Sequence, residues 1–265
     1  MGTANEILNG SRKIVLKIGS NVLTGADGRM DTEVIESIVA QVVHLIESGK
    51  QVIIVSSGAE VSGVSAIGRW SRHGDINYKQ AMCAIGQVEL MMAYKKCFAK
   101  SGIVVGQMLL TRDNFSDRTG SLHIRNTLFT LLDEKVVPVI NENDSVSVDE
   151  MNIGDNDSLA ALTANLWNAD LLILMSDIDG VYDKSPKDNA GATLIREVKD
   201  IERLEREIEV TGKSSFGTGG MASKIEAAKT VGRFGTSLLL VNGKKQGILD
   251  AMVAGAEEGT VFPAR

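Results

Sequence analysis

Six short runs in this chain are almost wholly apolar and rich in β-branched residues: KIVLKIG (13–19), QVIIVSSG (51–58), IVVGQMLL (103–110), VVPVIN (136–141), ADLLILMSD (169–177) and TSLLLVNG (236–243). A strand with one face in water alternates apolar and polar residues, so a nearly continuous apolar run belongs to a strand covered on both faces. Longer amphipathic stretches lie between these runs. DTEVIESIVAQVVHLIESG (31–49) reads as a helix with Asp31 as its N-cap and Gly49 just past its end. YKQAMCAIGQVELMMAYKKCFAKSG (78–102) reads as a long helix, and helical patterns recur at 119–134, 157–167, 222–234 and 246–255. Buried strands alternating with helices imply a mostly parallel central sheet with helices on both sides, a three-layer αβα sandwich of the α/β class. REIEVTGKSS (206–215) alternates differently and reads as an exposed hairpin strand. Only 3 prolines and no Ser/Gly-rich or charge-blocked linker interrupt the 265 residues, so one domain spanning 1–265 is expected.

The net charge of −6 argues against a nucleic-acid partner, which calls for a basic excess. Cys83 and Cys97 are too few for a disulfide framework, lack metal-ligand spacing and read as helix-packing residues. A reducing cytoplasm suits such a chain. No apolar run reaches membrane-spanning length, and MGTANEILNGSRK carries neither an apolar leader segment nor a myristoylation signal.

In open α/β sheets ligands sit beyond the carboxyl ends of the strands. The segments found there are KIGSN (17–21), SSGAEVSG (56–63), NENDSVSVDEMNIGDND (141–157) and IDGVYDKSP (178–186), all polar, acidic or glycine-bearing. Lys17 ends an apolar strand, where an ammonium is costly unless an anion meets it. Asp157 either caps the helix that follows or positions a ligand or a lysine. FGTGGMASK (216–224) is either a flexible loop before a helix or a backbone cradle for phosphate at a helix N-terminus. Other motifs fail on inspection. TGKSS (211–215) lacks the Walker A glycine, since Glu207 stands five residues before Gly212. No G-x-G-x-x-G follows the first strand, which disfavours a dehydrogenase. His44, His73 and His123 are isolated from metal or triad partners, and Met91 and Met92 read as packing or a subunit contact.

VLKIGSNVL (15–23), IVSSGA (54–59), RDNFSDRTGSLHIRNTL (112–128), PVINENDSV (138–146), GDNDSLAA (154–161), SDIDGVY (176–182) and FGTGGMASK (216–224) occur in the order found in gamma-glutamyl kinases (glutamate 5-kinases) of the amino acid kinase superfamily. The chain resembles that family from about residue 12 to 262. The resemblance implies the amino acid kinase fold and transfer of phosphate from ATP to the γ-carboxylate of L-glutamate, the acyl phosphate feeding proline synthesis. It further implies that Lys17 and Lys224 bind phosphate oxygens from two sides and that Asp157 holds both. Gly19, Gly58 and the glycine loop would donate N–H groups, with Thr218, Gly219, Gly220, Met221, Ala222, Ser223 and Lys224 covering the ATP phosphates. Ser176 and Asp177 match nucleotide contacts. Ser57, Gly58, Asp144, Asn156 and, less closely, Asn141 match the glutamate-binding positions, Asp144 suiting the ammonium. Mg²⁺ would arrive with ATP, held by phosphates and water instead of a protein metal site.

Two positions depart from the pattern: Glu60 stands where a small or apolar residue is expected, and Ser176 replaces the usual threonine. GTVFPAR (259–265) stands where the resemblance puts the end of the kinase domain, so the C-terminal module resembling RNA-modification domains that many bacterial members carry is not expected. Proline feedback and a homo-oligomer, dimer or tetramer, are expectations of the same resemblance. The alternatives are a kinase for N-acetylglutamate, aspartate, carbamate or UMP, and a non-catalytic amino-acid sensor. INENDSV (140–146) with GDND (154–157) favours glutamate, and the presence of Lys17, Lys224 and Asp157 favours catalysis.

Overall fold

The computed structural model describes residues 3–68, 74–147, 156–184, 186, 189, 191–211 and 220–264, with the backbone alone for 207–211. All six apolar runs are strands: β1 (Lys13–Ile18), β2 (Gln51–Ser56), β3 (Val105–Leu110), β4 (Val137–Glu142), β5 (Leu171–Ser176) and β8 (Ser237–Asn242). They form one sheet with β9 (Thr260–Phe262) in the order β3-β4-β2-β1-β5-β8-β9. Every pairing is parallel apart from β8 with β9. A separate antiparallel pair, β6 (Val181–Tyr182) and β7 (Leu194–Ile195), follows β5.

The strands send alternate side chains into two cores. Ile14, Leu16, Ile18, Val52, Ile54, Leu171 and Ile173 pack on one face with Leu90, Tyr94 and Phe98. Val15, Ile53, Val55, Leu172 and Leu174 pack on the other with Leu159, Ala160, Trp167, Ile225 and Val231. The helices of the first face are α1 (Ala4–Gly10), α3 (Thr32–Glu47), α5 (Ile76–Ala99) and α11 (Ile248–Val253); those of the second include α7 (Arg118–Asp133), α8 (Asp157–Trp167) and α10 (Gly220–Gly232). Short helices α2 (Ser20–Leu23), α4 (Ala59–Ile67) and α6 (Arg112–Ser116) follow β1, β2 and β3. Alternation sends Lys17 to the same side as Val15, toward α8 and α10.

Caps set several boundaries. Asp31 accepts from the N–H groups of Glu33 and Val34, as expected. Asp75 accepts from Asn77 and Tyr78, so α5 starts at Ile76, earlier than its apolar pattern, and it ends at Ala99 instead of 102. The hairpin-strand expectation for 206–215 is wrong where it can be checked: α9 (Ile201–Thr211) is helical, and 212–215 lie outside the described residues. Asp200 starts that helix by accepting from Arg203 N–H at 2.9 Å, and Ile201 and Leu204 are buried at helical spacing. The short alternation in R-E-I-E-V concealed that longer period.

Helices α4 and α5 touch backbone to backbone. A Cβ on Gly63 would lie 1.9 Å from the Met82 carbonyl oxygen, and one on Gly86 would lie 1.8 Å from that of Ala59. Only hydrogen fits at either position. The contact fixes the start of α4, and with it the turn after β2, against α5.

Candidate active site

Three buried charged side chains converge at the carboxyl ends of the strands. Lys17 Nζ lies 2.6 Å from Asp157 Oδ1, and Lys224 Nζ lies 3.2 Å from Asp157 Oδ2. Exposures are 5% for Lys17, 7% for Lys224 and 0% for Asp157. Lys17 comes from the central strand, Asp157 is the first residue of α8, and Lys224 lies one turn into α10. Asp157 is therefore not the N-cap of its helix; that position belongs to Asn156. Ser223 Oγ donates to Asp157 Oδ2 at 3.1 Å, and Lys224 Nζ also donates to the Gly220 carbonyl at 3.1 Å. Two ammonium groups on one carboxylate leave this cluster with a net positive charge. Beside the N-termini of α8 and α10 it suits an anion.

Next to it lies a cavity of about 400 Å³ lined by residues that include Ser57, Gly58, Glu60, Lys79, Cys83, Asn141, Asp144 and Asn156. Asn156 forms its floor. Its Nδ2 donates to Ser56 O (3.1 Å), Ser57 Oγ (3.0 Å) and Asn141 Oδ1 (2.9 Å), while its buried Oδ1 has no hydrogen-bond partner among the described residues. A buried acceptor of this kind calls for a donor from a ligand or water. Asn141 is tied at both ends, donating to Gln87 Oε1 at 2.8 Å and accepting from Glu142 N–H and Asn156, which makes it the bracket that orients Asn156. Gly58 is the N-cap of α4 with φ +97°, a conformation that favours glycine, and it lines the cavity together with Ala59, Glu60 and Val61 of the first turn of α4. Burial holds the Asp144 carboxyl above its ordinary range; a hydrogen bond from the Cys83 thiol opposes this, and the neighbouring Glu60 charge adds to it.

On the other side, Ser176 ends β5 opposite Asn242 of β8. Ser176 Oγ donates to Asp177 Oδ1 at 3.2 Å, and Asn21 Nδ2 donates to Asp177 Oδ2 at 3.0 Å. Asp179 takes Lys245 at 2.9 Å and Asn242 at 3.1 Å, and these donors hold its carboxyl below the ordinary range. Strand register puts Lys17 beside Leu174, so Ser176 lies two residues beyond the cluster on the adjoining strand.

The fold thus gathers Lys17, Asp157, Ser223 and Lys224 at one point, Ser57, Gly58, Asn141, Asp144 and Asn156 around one cavity, and Ser176 and Asp177 at the next strand end. Thr218 and Gly219 lie outside the described residues. Met221 packs into the core and Ala222 is exposed. The expectation that the Gly19 amide donates to phosphate is corrected: it donates to the Met175 carbonyl at 3.0 Å. Cys83 is buried as expected, yet it also lines the cavity. Lys79 and Gln87 had no place in the sequence reading. With Cys83 they recur every four residues on α5, a polar stripe on one helix face that could have marked them. His44 pairs with Asp250 on the surface at 3.0 Å, His123 is exposed, and His73 lies outside the described residues.

Residues 12–242 match the model of the amino acid kinase family. The chain is 56% identical to the glutamate 5-kinase of Alkaliphilus metalliredigens over 98% of each chain. Its fold is similar to that of UMP kinase from Bacillus anthracis (TM-score 0.65, 16% identity, 96% of each chain). It is equally similar to carbamate kinase from Giardia lamblia bound to AMP-PNP (TM-score 0.65, 15% identity, covering 96% of this chain and 99% of that one).

Proposed function

The chain belongs to the amino acid kinase family and, within it, to the glutamate 5-kinases, and from that membership we propose that it transfers the γ-phosphoryl group of ATP to the γ-carboxylate of L-glutamate, forming L-glutamyl 5-phosphate for proline synthesis. The observation that carries this reading is the pair of buried lysines on Asp157 at the edge of a cavity that holds both carboxylate and amide groups.

A carboxylate is ionised at neutral pH, so the acceptor needs no general base. The barrier lies in bringing two anions together and in stabilising charge on the transferred group, which is positioning and electrostatics. Lys17 and Lys224 would take phosphate oxygens from two sides, and Asp157 keeps the two ammonium groups apart and aimed. Ser176 and Asp177 would hold the nucleotide. The amides at the start of α10 and residues 218–219 would cover its phosphates. Asp144 and the free Oδ1 of Asn156 would hold the substrate ammonium, with Ser57 and the first amides of α4 donating to carboxylate oxygens.

Magnesium would enter with ATP. Both oxygens of Asp157 are engaged by lysines, and among the described residues no group of three or more His, Cys, Asp or Glu side chains could hold a metal. Its ligands would be the ATP phosphates and water. Proline, carrying a secondary ammonium beside its α-carboxylate, would compete at the Asp144 end as feedback inhibitor. A homo-oligomer would cover the exposed Val88 and Met92 of α5 and Leu109 of edge strand β3. No described helix is long and apolar enough to cross a membrane, and a cytoplasmic enzyme of single-domain build fits these features.

The test is ADP release from ATP and Mg²⁺ with L-glutamate, N-acetylglutamate, aspartate, carbamate or UMP offered separately. Turnover with L-glutamate far above the rest is expected. Preference for another acceptor would move the specificity, and nucleotide binding without any turnover would support the sensor alternative.

A further inference from the structure

Glu60 is the one acidic residue of the cavity lining that the family pattern leaves without a role. It sits in the first turn of α4, half-buried, and lines the same cavity as Asp144. A carboxylate at that helix position is favoured by the helix dipole, and a fully exposed glutamate would be favoured as well. The dipole therefore does not explain a side chain turned into a cavity that already holds a carboxylate. Lys79 is the only cation among the residues lining this cavity, and it forms no ion pair with Glu60 or Asp144 among the described residues. Among the described residues the wall thus presents two carboxylates and one ammonium with no ion pair between them.

That arrangement is complementary to the head of a free α-amino acid. We infer that Glu60 is a specificity residue, which with Asp144 forms a paired-carboxylate seat for a primary ammonium while Lys79 faces the α-carboxylate. An acceptor bringing its α-amino group free and protonated relieves the repulsion between Glu60 and Asp144. One lacking that group, or carrying it acylated, adds negative charge or bulk to an anionic wall. The Glu60 charge reaches Asp144, adding to the effect of burial on that carboxyl. The inference rests on the reading of this cavity as the L-glutamate site.

The test compares L-glutamate with glutarate, the same five-carbon diacid without the amino group, on wild type, Glu60→Gln and Glu60→Asp. Glu60→Gln keeps the shape and removes the charge. It should raise the KM for L-glutamate about tenfold, equivalent to about 1.4 kcal/mol, with kcat much less affected, as loss of uniform binding requires. For glutarate the same substitution should raise kcat/KM, because one of the two anions facing it is gone. Glu60→Asp should recover much of the glutamate preference. Equal changes for both acceptors in Glu60→Gln would overturn the inference and reduce Glu60 to a helix-end charge. Calorimetric binding of L-glutamate and glutarate to the same proteins keeps the two readings separable. Weaker glutamate binding by Glu60→Gln in a protein that never phosphorylates glutamate would sink the proposed reaction and leave the ammonium seat standing. Glutamate turnover with unaltered discrimination would do the reverse.

Discussion

Replacing Asp157 by asparagine keeps the side chain's shape and removes a negative charge that two buried ammonium groups share. At the observed separations of 2.6 and 3.2 Å, each contact is worth about 5–6 kcal/mol gross at an effective dielectric constant of about 20. Desolvation offsets much of that in the intact cluster, but removing one partner of a buried charge cluster typically costs about 3–5 kcal/mol. For a chain of this size each kcal/mol moves the melting temperature by about 2–4 °C, so Asp157→Asn should melt about 6–20 °C below wild type. The same reasoning gives ATP a larger stabilising effect on the variant, since its phosphates supply the missing negative charge. Thermal unfolding followed by circular dichroism, with and without saturating ATP, measures both quantities. A variant melting within about 2 °C of wild type, with an unchanged ATP shift, would refute the reasoning, because the lysines would then have found their counter-charge elsewhere.

Lys17→Ala and Lys224→Ala should each lower kcat by about 10²–10³ with a much smaller change in the KM for glutamate; steady-state kinetics showing wild-type turnover for either would remove it from the transfer step. Asp144→Asn should raise the KM for glutamate about tenfold, and an unchanged value would take Asp144 out of the seat. In wild type that KM should climb as pH falls, starting above the ordinary aspartate range of about 3.9, because burial and Glu60 make Asp144 take up its proton early. The folded state binds that proton more tightly than the unfolded chain, so the same group favours folding at low pH and loses that contribution as pH rises through its folded value. KM profiles of wild type against Asp144→Asn isolate the effect, since the variant should lack it. Gly86→Ala places a methyl group against the Ala59 carbonyl and should cost about 1–3 kcal/mol or more, with a raised KM for glutamate as the turn at Gly58 shifts; a wild-type melting temperature would show that α4 and α5 separate freely.

The strands were legible because burial on both faces leaves an unmistakable apolar run, and Val15, Ile53 and Leu172 had no alternative to a core. The helix at 201–211 was not, because its charged residues imitate a two-residue period over the few positions that were weighed. The antiparallel β9 at the sheet edge went unseen, since three residues carry too little pattern. Lys17 could be singled out as an ammonium in an apolar strand, but its meeting with Asp157 and Lys224 follows from chain crossings that no spacing encodes; only family resemblance brought the three together. Resemblance was also blind where it had no counterpart. Lys79, Cys83 and Gln87 line one face of α5; their four-residue spacing marks a shared face, and the structure adds that this face borders the cavity. The Gly19 amide shows the converse: a glycine in a conserved-looking motif whose N–H serves the sheet instead of a ligand.

The most direct measurement is a hydroxylamine trap. Protein, ATP, Mg²⁺ and L-glutamate are incubated with hydroxylamine, and glutamyl hydroxamate is quantified against ADP. The account predicts hydroxamate equal to the ADP formed, because every phosphoryl group passes to a carboxylate and creates an acyl phosphate. ADP released without hydroxamate would contradict it, showing that the lysine pair moves phosphate to water or to another acceptor.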